Sequence, residues 1–158
     1  MGMSTAELGF KLKEFYLLEL YQVKMFGDQL PALTDDHLRY AFTVMVERER
    51  IHLDYFAGKL QEIGAEKPVL AGDLFGFAGT VSAKALDLFT LEERYKFGIF
   101  AETKAIEMYT DFVRRAEAED RSLAEMLWRY QIDEELHKGW FAAQLEALRK
   151  HAPQPAGT

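Results

Sequence analysis

Cysteine is absent from the 158 residues, which excludes a disulfide scaffold, thiolate zinc or iron–sulfur ligation, and a cysteine nucleophile. Proline is scarce, with 4 in the chain, and Pro68, Pro153 and Pro155 fall outside the periodic stretches, so long helices are not interrupted. No apolar run approaches membrane length. The first residues, Met1 to Ala6, lack a basic-then-apolar leader, and Ala6 breaks a myristoylation pattern. The expectation is a soluble, cytoplasmic protein. Gly72, Gly76 and Gly79 are not followed by Gly-Lys-Ser/Thr, so they do not form a phosphate-binding loop. Positive charge is in deficit, with a formal net charge of −7, which argues against nucleic acid and suits a cation binder. The length matches one domain, residues 1–158, with a core that needs no staples.

What the chain does have is helical periodicity in four long segments. The first runs from about Ser4 to Leu30, ended by Pro31. The second runs from about Asp35 to Ile63, with Thr34 as N-cap and Gly64 as stop. The third opens on the capping box Thr90-Leu91-Glu92-Glu93 and reaches about Ala118. The fourth spans roughly Asp120 to His151. Residues 65–89 join the second to the third, are rich in apolar side chains, and are expected to include a short helix from Val81 to Phe89. Two short joints and one long one describe an all-α four-helix bundle with a crossover between helices two and three. The tail, about 153–158, is expected to fray.

Two copies of Glu-x-x-His, Glu49-Arg50-Ile51-His52 and Glu134-Glu135-Leu136-His137, lie on the second and fourth segments. Residues three apart on a helix are about 60° apart around its axis, so each pair can address one pocket. At about 100° per residue, Glu19 falls amid Leu12, Phe15, Tyr16, Val23 and Phe26, and Glu102 amid Tyr95, Ala105, Tyr109 and Phe112. Glu49 lies in the arc of Phe42, Met45 and Phe56 with His52 at its edge; Glu134 and His137 share that of Leu127, Tyr130 and Phe141. The other acids point away, Glu14 near Lys11 and Lys13 and Glu107 among Lys96, Arg114 and Asp111. The halves repeat: Glu19 to Glu49 is an interval of 30 residues, and Glu102 to Glu134 of 32. A buried unpaired carboxylate costs several kcal/mol, and lysine and arginine are scarce on these arcs. Two divalent metals would supply the missing charge, with the imidazoles as neutral donors suited to iron, manganese or zinc.

With these residues the chain resembles the rubrerythrin-like branch of the ferritin-like di-iron carboxylate superfamily, over about residues 8 to 150. The most family-like stretches are Ala101-Glu102-Thr103-Lys104-Ala105-Ile106-Glu107-Met108-Tyr109 and Asp133-Glu134-Glu135-Leu136-His137. The resemblance implies a ferritin-like bundle with Glu19 and Glu102 as terminal ligands, Glu49 and Glu134 as bridging carboxylates, and His52 and His137 as one imidazole per metal. The Glu19–Glu49 interval is closer to that of demethoxyubiquinone hydroxylases. Two departures stand out. Classical rubrerythrins carry a Cys-rich electron-delivery domain, which a chain without cysteine lacks, and Ala105 offers no additional carboxylate one turn after Glu102.

The functional expectation is a di-iron, or mixed Fe/Mn, oxidoreductase that reacts with dioxygen or peroxide and draws on an external electron donor, with no catalytic group beyond the metal ligands. The alternatives are iron uptake or storage with ferroxidation, and a metal-free structural bundle. Around the ligands, Asp133 is placed to accept a hydrogen bond from His52. Tyr109 and Tyr130 are candidates for bonding the ligand carboxylates or for electron transfer. Trp128, Ile132, Leu136 and Trp140 form a second apolar stripe on the last helix, expected to lie under the crossover. Phe10, Leu17, Tyr21 and Met25 form an outer stripe on the first helix, expected to join a homodimer through helices one and two.

Overall fold

The computed structural model describes residues 3–68, 89–118 and 120–151. Four α-helices and one 3-10 turn take up 86% of these residues with no strand among them, which makes the fold all-α. The helices are α1 (Thr5–Gly27), α2 (Asp36–Glu62), α3 (Leu91–Ala116) and α4 (Arg121–His151).

Local chemistry sets their ends. Ser4 opens α1 with a capping box, its hydroxyl accepting from the Glu7 amide while the Glu7 carboxylate accepts from the Ser4 amide. Thr90 and Glu93 do the same for α3. Each box satisfies amides that a helix start otherwise leaves unpaired. The N-cap of α2 is Asp35, one residue later than Thr34, its carboxylate accepting from the Leu38 amide at 2.9 Å. An ionised acceptor also suits the positive end of the helix dipole. Helix α1 stops at Gly27 rather than Leu30, and Leu30–Ala32 form the 3-10 turn. The cause is Pro31, whose ring in a continuing helix would strike the carbonyl four residues back, that of Gly27. Gly64 ends α2 at φ +69°, with its amide bonded to the Gln61 carbonyl and the Ala65 amide to the Leu60 carbonyl. That left-handed turn favours glycine.

Contacts fix the directions. Gly9 lies against Ile63, pairing the start of α1 with the end of α2. Arg149 meets Glu92 at 3.1 Å, pairing the end of α4 with the start of α3. Trp140 touches both Phe42 and Tyr95, so α2 and α3 begin at the same end of the bundle. Helix α2 therefore finishes about 40 Å, its own length at 1.5 Å per residue, from the end where α3 starts. The two helix ends that the joint connects are therefore a bundle length apart. The expected helix Val81–Phe89 and most of the joint lie outside the described residues, as does the tail.

Two apolar clusters fill the interior. One surrounds Phe15, Phe56, Tyr109 and Phe112, and the other surrounds Phe26, Phe42, Tyr95 and Phe141. Of the α1 stripe, only Phe10 is exposed: Tyr21 and Met25 are buried within the second cluster. That corrects the placing of Tyr21 and Met25 on an outer stripe, because α1 turns these residues inward as well as its main arc. On α4, Trp128, Ile132 and Leu136 are exposed and Trp140 is half-buried; the crossover expected to cover them falls on residues that are not described.

Close packing leaves no room at Gly98, where an added Cβ would stand 2.8 Å from three atoms of the Phe141 ring. Alanine is the better helix former by about 1 kcal/mol, but overpacking a core costs about 1–3 kcal/mol. Gly98→Ala should therefore lower stability in thermal unfolding by about 1 kcal/mol net. In a Phe141→Leu background the same change should raise it. A more stable single variant would show that the ring yields freely.

Candidate metal centre

Between the two apolar clusters lies a polar layer made of one turn from each helix. Glu19 from α1, Glu49 and His52 from α2, Glu102 from α3 and Glu134 and His137 from α4 are all buried, the most exposed being His137 at 7%. The structure thus brings together all six residues singled out in the sequence. Among the described residues no lysine or arginine is buried. Four carboxyl groups share this layer with two imidazoles and no fixed cation.

The donors form two groups able to hold a metal ion. Glu19, Glu49, His52 and Glu134 make one, Glu49, Glu102, Glu134 and His137 the other, with the donor atoms of each within 4.8 Å of one another. Glu49 and Glu134 belong to both. The finer geometry is informative. His52 Nδ1 lies 3.4 Å from Glu19 Oε2, 3.2 Å from Glu49 Oε2 and 3.3 Å from Glu134 Oε1, yet makes no directed hydrogen bond with any of them. His137 Nδ1 lies 2.9 Å from Glu49 Oε1 and 3.4 Å from Glu134 Oε2, and it too is unpaired. Atoms about 2.1 Å from a common ion stand about 3.0 Å apart at right angles and about 3.4 Å apart at tetrahedral angles. The observed spacings have that range, and the lone pairs converge instead of pairing.

Neighbours orient these donors. Asp133 Oδ2 lies 3.1 Å from His52 Nε2, so a proton on Nε2 leaves the Nδ1 lone pair facing the carboxylates. Arg48, in the matching place of the first repeat, is exposed. The Tyr109 hydroxyl donates to Glu19 Oε1. Tyr130 meets the site with its ring, whose centroid is 4.0 Å from that of His52. One participant escaped the sequence reading. Gln22, 1% exposed, donates from Nε2 to Glu102 Oε2 at 3.0 Å and to Glu134 Oε2 at 3.4 Å. It stands three residues after Glu19 on the same side of α1, a spacing that would have found it. Carrying no charge, it raised no electrostatic problem that called for a partner.

Without metal, the layer balances its charge with protons. Burial, reinforced by Glu134 and Glu49, pushes the Glu102 carboxyl well above the usual range. Burial also pushes Glu19 well above it, against the opposing pull of the nearby His52 imidazole. Burial disfavours charge on the imidazoles too, but Glu134, Glu19 and Glu49 outweigh it at His52, which is raised far above 6.5, and Glu134 and Glu49 raise His137 to about 10. Glu134 is the counterpart: burial would raise it, but His137 and His52 hold it at about 2.

The sign of the pH dependence follows. Glu19 and Glu102 have folded pKa values above the ordinary 4.5, and His52 and His137 above the ordinary 6.5. Their contributions are present in full below the unfolded values and are lost as pH rises toward the folded ones. Glu134 has the opposite sign, but its loss falls near pH 2. Metal-free protein should therefore lose thermal stability as pH rises from about 5 to about 9, and saturating Zn(II), which displaces the protons, should remove that decline. A Tm of the metal-free protein that rises across this window would contradict the proton-balanced layer.

Neither the curated proteins nor the solved structures searched contain a match to the chain. The family model described as the ferritin-like domain matches residues 34–151, a span that takes in α2, α3 and α4 and five of the six clustered residues. With three-quarters of its length matched, and with four helices that carry a buried glutamate–histidine layer able to bind metal ions, the chain belongs to the ferritin-like family.

Proposed function

We propose that the protein is a non-haem di-iron carboxylate oxidoreductase that reacts with dioxygen or peroxide, in the rubrerythrin-like manner that the sequence resembles. The observation that carries this reading is the set of buried, unpaired atoms in the polar layer: Glu19 Oε2, both Glu49 oxygens, His52 Nδ1, Glu102 Oε1, Glu134 Oε1 and His137 Nδ1. An unsatisfied buried polar atom costs about 1–3 kcal/mol, and more when charged. Seven in one layer call for a ligand. Carboxylate and imidazole donors select a borderline divalent metal, iron or manganese, over a soft ion.

In this reading Glu19 and Glu102 would each serve one metal, and Glu49 and Glu134, common to both groups, would be shared by the pair. Tyr109 holds Glu19 by one oxygen and leaves the other free. Gln22 does the same for Glu102. Asp133 keeps His52 in the tautomer that presents Nδ1. Two ferrous ions supply two electrons, the number that converts dioxygen and two protons to hydrogen peroxide, or peroxide and two protons to water. The apolar clusters on either side keep bulk water from the layer. Electrons to reset the metals would come from an external donor.

Anaerobic titration with Fe(II), followed by Mössbauer spectroscopy after exposure to dioxygen or peroxide, tests the assignment. Two irons per chain are expected, both oxidised together. Glu102→Ala should bind one, because the second group loses a donor that the first does not use. Native mass separates the storage alternative: a hollow multi-subunit shell supports it, and a monomer or dimer supports a redox enzyme. Protein that takes up no metal would leave the proposal without foundation.

A further inference from the structure

The polar layer repeats itself in sequence, and the places where the repeat breaks make its halves unequal. One lies a turn after the first glutamate of each half. Gln22 stands three residues after Glu19, whereas Ala105, buried and without a polar side-chain atom, stands three residues after Glu102. Another lies just before each shared glutamate, where Asp133 precedes Glu134 and Arg48 precedes Glu49. Asp133 reaches His52 Nε2 at 3.1 Å, while Arg48 is exposed. The carboxylates that approach the His137 ring, those of Glu49, Glu102 and Glu134, all meet it at Nδ1.

Gln22 acts across the layer. It belongs to the helix of Glu19, yet it gives both of its N–H groups to the other half, one to Glu102 Oε2 at 3.0 Å and one to Glu134 Oε2 at 3.4 Å. The bond to Glu102 has a counterpart, since Tyr109 donates to Glu19. The bond to Glu134 has none, and it falls on one end of a shared carboxylate. Glu134 Oε2 is the oxygen that faces His137 Nδ1, at 3.4 Å, and Oε1 is the one that faces His52 Nδ1, at 3.3 Å. Glu49 is divided in the same way, Oε2 toward His52 and Oε1 toward His137, with both oxygens unpaired. On the His52 side all four facing donors therefore lack partners: Glu19 Oε2, Glu49 Oε2, Glu134 Oε1 and His52 Nδ1. On the His137 side Glu49 Oε1, Glu102 Oε1 and His137 Nδ1 lack them, but Glu134 Oε2 already holds Gln22. A metal on the His52 side would relieve one more unsatisfied buried atom than a metal on the His137 side. Asp133 adds to the same bias, because an anion on Nε2 orients the His52 ring and makes Nδ1 the more basic donor. We propose that Gln22 is a positioning residue which, together with Asp133, makes the two metal positions unequal, so that the group of Glu19, Glu49, His52 and Glu134 fills first and the group of Glu49, Glu102, Glu134 and His137 holds its metal more weakly. The inference rests on the di-metal reading and gives its two positions an order. Outer partners of this kind change metal affinity by about 10–100-fold, so a preference of about tenfold or more is expected.

Two unequal binding constants alone do not reveal this order, because one dication repels the next even at identical positions. The test is resolved by site. Zn(II), diamagnetic and redox-inert, is titrated into metal-free protein while the ring signals of His52 and His137 are followed by NMR. The His52 change should be complete with the first equivalent and that of His137 with the second, and EDTA should return the His137 signals first. Gln22→Leu leaves Glu102 Oε2 and Glu134 Oε2 without their donor, so it should lower the Tm of the metal-free protein and yet tighten zinc at the His137 position, cutting the preference by about threefold or more. A merely structural role for Gln22 would instead weaken both positions together. Asp133→Asn keeps a hydrogen-bond acceptor without the charge and should cut the preference from the other side, by weakening the His52 position. Ring signals that change in step throughout the titration, or His137 changing first, would overturn the proposal, as would an order of filling that Gln22→Leu leaves as it is in the wild type. Those failures are distinct from failure of the di-metal reading, in which wild-type protein takes up fewer than two zinc ions however much is added.

Discussion

The rest of the structure is organised by one constraint of charge. Four carboxyl groups lie in a buried layer that no lysine or arginine among the described residues enters, with two imidazoles for company. Such a layer persists only if positive charge enters from outside the side-chain set, as protons or as metal ions. The raised Glu19 and Glu102, the raised histidines and the depressed Glu134 are the proton solution. The convergent unpaired lone pairs are the geometry of the metal solution. The two solutions require the same atoms, so any metal taken up there would displace protons and tie its binding to pH and stability.

The fold serves that layer. Each of the four helices contributes a single turn to it, and the apolar clusters on either side, centred on Phe15 and Phe26, supply the hydrophobic stabilisation that carries the cost of the polar middle. Rigid aromatic packing also limits how far the donors can relax. The Phe15 ring meets Tyr109 edge-on at 4.6 Å, and Tyr109 in turn holds Glu19. On the other side Phe26 packs against the His137 ring. Core packing and ligand orientation are therefore the same set of contacts viewed from two directions.

Most of the fold was legible because helical periodicity, capping residues and loop lengths are local signals. Thr90 and Glu93 name their own capping box, and the two Glu-x-x-His pairs announce which faces point inward. What escaped was decided by competition between neighbours. Asp35 outcompeted Thr34 as N-cap, and Pro31 acted four residues back instead of at its own position. The first-helix stripe was misplaced as an outer surface for a different reason. Tyr21 and Met25 are apolar in the sequence whichever surface they cover, and only the packing of a second helix beside them says which.

The sequence by itself determined that the chain is an all-α bundle with six ionisable residues on its apolar faces, since an unbalanced buried charge can be recognised from helix spacing alone. The tertiary structure decided which donor atoms meet, that both histidines present Nδ1, that Asp133 orients His52, and that Gln22 joins the layer. Those facts depend on rotamers and on distances across the bundle, between residues such as Gln22 and Glu134 that are far apart in the chain. An uncharged amide leaves no trace in a charge balance. It becomes visible only when the helices that surround it are brought together.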